Sequence, residues 1–176
     1  MKTLKTLLSV FAIAAVFSTG AMAQGSSDQA TVATSATVQT ALSVANVADL
    51  AFGTITTTET PTISATDANA GAVDIQGAAT GVTLNVQVTY PSVLTDGTPA
   101  NDLTFANYES AYRLDGTNDA TGATDFGTVS GQVLSGSFTS TANTMYIYVG
   151  GQITDASNGV AGNTYNNDIT VQVSYN

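Results

Sequence analysis

The chain has 176 residues, with 13 acidic side chains against three basic ones, and it contains no cysteine and no histidine. Lys2 and Lys5 precede a small-residue cleavage signal, so the exported form keeps Arg113 alone against 13 carboxylates, a net charge of −12. That composition excludes nucleic-acid binding, polybasic membrane contact, disulfides and thiolate metal sites, and the histidine base of a serine triad.

Residues 1–23 read as a signal peptide. Lys2 and Lys5 form the positive region, Leu7 to Phe17 the apolar run, and Ala21-Met22-Ala23 the cleavage signal. The apolar run is too short for a spanning helix, and no later stretch is longer, so a mature chain without a transmembrane segment is expected. Residues 24–176 then form one domain, secreted to the periplasm or the cell surface. Such a length buries enough surface to hold a core without covalent staples.

Next comes Ala30–Val44, with apolar side chains at the even positions Ala30, Val32, Ala36, Val38, Leu42 and Val44, broken by Thr34 and Thr40. Weaker strand patterns fit Leu50–Thr57, Pro61–Thr66 and Ala72–Gln76. Strict alternation follows at Val82, Leu84, Val86, Val88 and Tyr90, a strand with one wet face. Leu103–Leu114 and Phe126–Thr139 are two further strand candidates. Met145, Ile147 and Val149 share one face of the next strand, and Tyr146 and Tyr148 the other, so it is apolar or aromatic on both faces. The final strand places Ile169, Val171, Val173 and Tyr175 on one face, against Thr170, Gln172 and Ser174. Turn signals fall at Asp96-Gly97, Asp115-Gly116 and Asn158-Gly159, and Asp115–Asp125 reads as a long flexible loop.

About nine short strands without a helical pattern predict an all-β fold, an antiparallel immunoglobulin-like β-sandwich. A closed barrel fits the same pattern. No catalytic constellation is visible, so no enzyme and no cofactor is expected. Asp115, Asn118, Asp119 and Asp125 offer the oxygen ligands that calcium takes, but without the regular spacing of an EF-hand, and a solvated turn is the simpler reading. Tyr108 and Tyr112 suit sugar stacking if exposed, and cross-strand packing otherwise.

The ends carry two resemblances. A penultimate Tyr175, apolar Val173, Val171 and Ile169, and Gly162 upstream resemble the C-terminal signature of subunits assembled by the chaperone–usher route. That resemblance implies a periplasmic chaperone and an outer-membrane usher as partners. Self-association would follow by strand exchange, in which main-chain hydrogen bonds give affinity and alternate side chains fill pockets. The segment with Val32, Val38, Leu42 and Val44 is the candidate donor strand, although any first strand of a sandwich alternates in this way. Separately, Ala48-Asp49-Leu50-Ala51-Phe52-Gly53-Thr54-Ile55 and Gly162-Asn163-Thr164-Tyr165 with Ile169–Asn176 resemble the domain of unknown function 4402 family. That resemblance implies a secreted bacterial β domain. The expected function is a structural subunit of a cell-surface, fimbria-like or pilus-like filament; the alternative is an adhesin-like module recognising glycan or a host surface.

Overall fold

The computed structural model describes residues 31–129 and 131–176, in two units divided between Thr37 and Val38. Residues 1–23, read above as a signal peptide, and Ala30 lie outside the described residues. In the first unit, residues 31–37 form no strand and every one is exposed.

The second unit is a β-sandwich of antiparallel strands. They are β1 (Ser43–Ala48), β2 (Thr62–Ile63), β3 (Gly71–Gln76), β4 (Thr83–Thr89), β5 (Val93–Leu94), β6 (Leu103–Arg113), β7 (Thr124–Val129), β8 (Val133–Thr139), β9 (Thr144–Asp155) and β10 (Thr170–Tyr175). One sheet runs β1-β3-β9-β6-β5, with β2 also on β9 and β7 also on β6; the other runs β10-β4-β8. Two separate sheets make this a sandwich and remove the barrel alternative.

Alternation explains the layering. Leu84, Val86 and Val88 of β4 point inward, where they meet Ile75 of β3 and Met145 and Ile147 of β9, all buried. Each such side chain contributes roughly 1.5–3 kcal/mol by leaving water. β9 is covered on its outer face too. Tyr148 packs there with Ala65, Ala70, Ala72, Ala111 and Ala120, a small second cluster beneath two loops. The glycine at position 150 permits that covering, because a Cβ there would strike the backbone of Ile63, Ser64 and Ala65.

Tyr90, at the end of β4, crosses the core and stacks on Tyr108 of β6 with ring centroids 4.7 Å apart. Its hydroxyl donates to the Glu109 carbonyl and shares a 2.6 Å hydrogen bond with Ser110 Oγ. That satisfies a polar group which would otherwise be buried unpaired.

Several expected elements differ. Leu50–Thr57 is not a strand, and Pro61–Thr66 shrinks to Thr62–Ile63. Phe126–Thr139 is two strands, β7 in one sheet and β8 in the other. The first strand is Ser43–Ala48 and not Ala30–Val44. Nor is Asp115–Asp125 simply a flexible loop. Arg113 holds Asp115 at 2.7 Å and Asp119 at 3.6 Å, Ala120–Gly122 forms a single 3-10 turn, and β7 begins at Thr124.

In chain order β1, β3, β4, β6, β9 and β10 take the A to F positions of an immunoglobulin sandwich, whose sheets are ABED and CFG. β1-β3-β9-β6 reproduces the first sheet, and β4 with β10 reproduces the C–F pair. Among the described residues no strand lies in the G position beside β10; β8 sits on the opposite side of β4.

Candidate functional site: the open edge of the last strand

β10 pairs with β4 over its whole length, from Thr170↔Thr89 to Tyr175↔Leu84, and Asn176 N donates to Thr83 O at 3.1 Å. Antiparallel ladders alternate, so that register turns the N–H and C=O of the even-numbered residues toward β4. The same groups of Val171, Val173 and Tyr175 therefore point away from it, to the side where no described strand lies. Unpaired backbone groups of this kind form a template for another strand.

A groove of about 1460 Å³ adjoins that edge. One wall is the segment after β1, with Leu50, Phe52 and Ile55; the facing wall is Gly162 to Val171. Leu50, Phe52 and Ile55 are half-buried, while the residues between them are exposed; the step of three from Phe52 to Ile55 departs from the period of two of a regular strand. Leu50 packs against Gly71, where a Cβ would come within 3.0 Å of the Leu50 amide nitrogen, and Phe52 meets Phe105 edge-on at 5.8 Å. Yet among the described residues Leu50–Ile55 forms no backbone hydrogen bond. Both walls thus offer main-chain donors and acceptors with no strand between them.

The floor is apolar, with Leu94, Leu103, Phe105, Val149 and Ile153. Asp49 and Asp168 are the charged side chains on the lining. The far wall is tied down by Asp96, whose Oδ2 accepts from Asn163 Nδ2 at 2.6 Å and from Asn101 Nδ2 at 2.9 Å. The Asn101 amide is the main reason the Asp96 carboxyl lies below the usual carboxylate range; Thr98 N–H and Asn163 act the same way against opposing desolvation. Paired Thr95–Asn166 backbone bonds of 3.0 Å complete the tie. Such a site can hold an extended segment of small apolar residues.

Of the residues singled out in the sequence, Gly162, Ile169 and Val171 come together on the groove. Gly162 has φ +88, a backbone that favours glycine, with nothing within 4 Å of a Cβ position. Val173 and Tyr175 continue the inner face of β10 and pack on the core. Leu42 also packs on the core, and Val44 sits in β1, so both belong to this domain's own structure. Val38, 93% exposed, and Val32, 84% exposed, lie outside any strand. Leu50, Phe52 and Ile55 fell within a weaker strand candidate, and nothing in the sequence marked them as a groove wall.

The other candidates have structural roles. Tyr108 is buried, and the half-buried Tyr112 packs against Phe138 and Phe126, so both serve packing. Asp115 and Asp119 are engaged by Arg113; Asn118 accepts from the Tyr148 hydroxyl at 3.2 Å, and Asp125 from Gly127 N at 2.7 Å. No protein-family model matches the chain, and no curated protein matches it.

Proposed function

We propose that this chain is a structural subunit of a bacterial cell-surface filament, joined to its neighbours by strand exchange. The observation that carries the reading is the open edge of β10, flanked by a groove whose other wall also lacks backbone partners. An extended segment inserted there would add main-chain hydrogen bonds and bury alternate side chains.

The donor is the stretch before Thr40 in a neighbouring copy. Residues 31–37 carry Val32, Thr34 and Ala36 at alternate positions, and Val38 follows in the same phase. Seven extended residues span roughly 23 Å, enough to run beside the six residues of β10. Leu42 and Val44 drop out of the donor, because they belong to the acceptor's own fold. Export by residues 1–23, and delivery by a periplasmic chaperone and an outer-membrane usher, complete the proposal. The chaperone would cover the β10 edge until a donor arrives.

The test is deletion of residues 24–39 from the exported chain, followed by electron microscopy and denaturing gels without heating. The intact protein should form filaments that run as a ladder, and the shortened protein should stay monomeric with an unchanged melting temperature. Filaments that form equally well without residues 24–39 would overturn the reading.

A further inference from the structure

The outer face of the three-stranded sheet combines two properties. Its side chains are uncharged and, apart from the exposed Val133 at one end of β8, polar, centred on Asn85, Gln87, Ser135, Ser137, Gln172 and Ser174 around a shallow depression of about 790 Å³. No Asp, Glu or Arg stands anywhere on β4, β8 or β10; every acidic residue from Asp49 to Asp168 lies in the other sheet or in a loop. For a chain this acidic, that face is where a second copy can approach without meeting like charge.

The face is also organised in advance. Ser137 Oγ donates to Asn85 Oδ1 at 2.5 Å, Asn85 Nδ2 to Asn176 Oδ1 at 3.3 Å, and Gln87 Nε2 to Ser135 Oγ at 3.4 Å. Thr83 and Thr139 hydroxyls lie 3.1 Å apart. Side chains tied across the strands have already lost part of the rotamer freedom that association costs. Hydroxyls and carboxamides both donate and accept, so they can pair with copies of themselves, as a two-fold interface demands. Carboxylates, which only accept, cannot.

We infer that this face is a lateral contact between two copies of the chain, packed sheet to sheet about a two-fold axis. The inference goes beyond the filament reading and does not depend on strand exchange. A glycan is the less suitable occupant, because no aromatic ring is exposed on the face to stack on a sugar. Three strands at 4.8 Å spacing and about 23 Å long cover on the order of 330 Å² per partner, less than half of what a stable interface buries. The contact is therefore weak and reversible, and salt strengthens it by screening repulsion between the acidic surfaces.

The absence of cysteine supplies a clean probe. In the exported chain, Gln87→Cys at the centre of the face should give a disulfide-linked dimer under mild oxidation at protein concentrations on the order of 1 mM. Asn158→Cys, in an exposed turn, should not. Sedimentation should show self-association rising with salt, and the pair Gln87→Glu with Ser137→Asp should weaken it at least about tenfold, with unchanged circular dichroism. Equal cross-linking at both cysteines, association indifferent to the acidic pair, or a chain that stays unassociated in salt but is retained on polysaccharide would overturn the inference. Loss of filaments on deleting residues 24–39, with the Gln87→Cys dimer intact, bears on strand exchange alone.

Discussion

The Tyr175 hydroxyl donates to the carbonyl of Thr40 at 2.5 Å, so the last strand fastens the chain just before the first. Thr40 Oγ1 in turn donates to the Gly77 carbonyl at 2.5 Å, after β3. Three segments remote in sequence therefore meet at the base of the proposed donor arm. Tyr175→Phe keeps the ring against the core and loses the hydrogen bond. It should cost about 1 kcal/mol, read as a lower urea midpoint with an unchanged slope. Amide exchange at Ala41 and Leu42 should accelerate while that of β9 does not.

Gly77 offers a sharper version of the same test. Its φ is +86, and a Cβ would run into the Ala41 carbonyl. Gly77→Ala should cost at least about 2 kcal/mol, the left-handed backbone penalty plus the clash. Gly53, at φ +71, has nothing within 4 Å of a Cβ position. Gly53→Ala should cost only the backbone part, about 1 kcal/mol. Paired urea titrations compare the two, and equal losses would mean that the close approach to Ala41 carries no energy.

How much of this was readable in advance depends on what a pattern can report. Alternation at Leu84–Tyr90 and Ile169–Tyr175 marked β4 and β10 because one face of each is covered and the other wet. Met145–Val149 showed apolar or aromatic side chains on both faces, and the outer face is covered at Tyr148 and half-covered at Tyr146. Leu50–Thr57 was a weaker strand candidate and forms none: its half-buried residues Leu50, Phe52 and Ile55 break the period of two, and among the described residues no strand pairs with it. Sequence sees the side-chain half of a β-strand and not the ladder. The cluster of Ala65, Ala70, Ala72, Ala111 and Ala120 left no signal, since alanines brought together from strands and loops far apart in the chain have no period. Arg113 was visible as a lone cation; that it would organise the loop ahead of it was not.

Tyr90 should make the fold sensitive to alkali. Burial, the largest influence, pushes its phenol well above the ordinary value of 10.0, with the Ser110 hydrogen bond opposing and Glu109 adding. A raised folded-state value means that the stabilising contribution is complete below pH 10 and fades as pH climbs through it toward the folded value. Spectrophotometric titration should find a tyrosine phase that ionises only as the protein unfolds, with Tyr90 contributing to it. Tyr90→Phe reduces that phase and leaves Ser110 Oγ, fully buried, without its partner. The loss should be about 1–3 kcal/mol near neutral pH.

At the acid end, the Arg113 guanidinium holds the Asp115 carboxyl well below the usual carboxylate range, and the Thr117 amide adds to the effect. For a lowered folded-state value the contribution is present above the ordinary 3.8 and lost as pH falls through the folded value. The Asp115–Gly122 segment should therefore keep its arrangement at pH 4, where an unpaired carboxylate would be about half protonated. Carbon-13 titration of Asp115 reads this directly. In Arg113→Gln its midpoint should return toward 3.8.

The two carboxylates gripping Arg113 have a consequence for proteolysis. Beyond Lys5 it is the sole residue after which a trypsin-like protease can cut. Its side chain is 18% exposed, paired with Asp115 and Asp119, at the end of a strand flanked by β7 and β9. Proteases cut preferentially at exposed loop tips, and here cleavage means pulling the end of β6 away from β7 and β9. One ion-paired arginine thus makes the folded domain nearly invisible to a whole class of digestive enzymes.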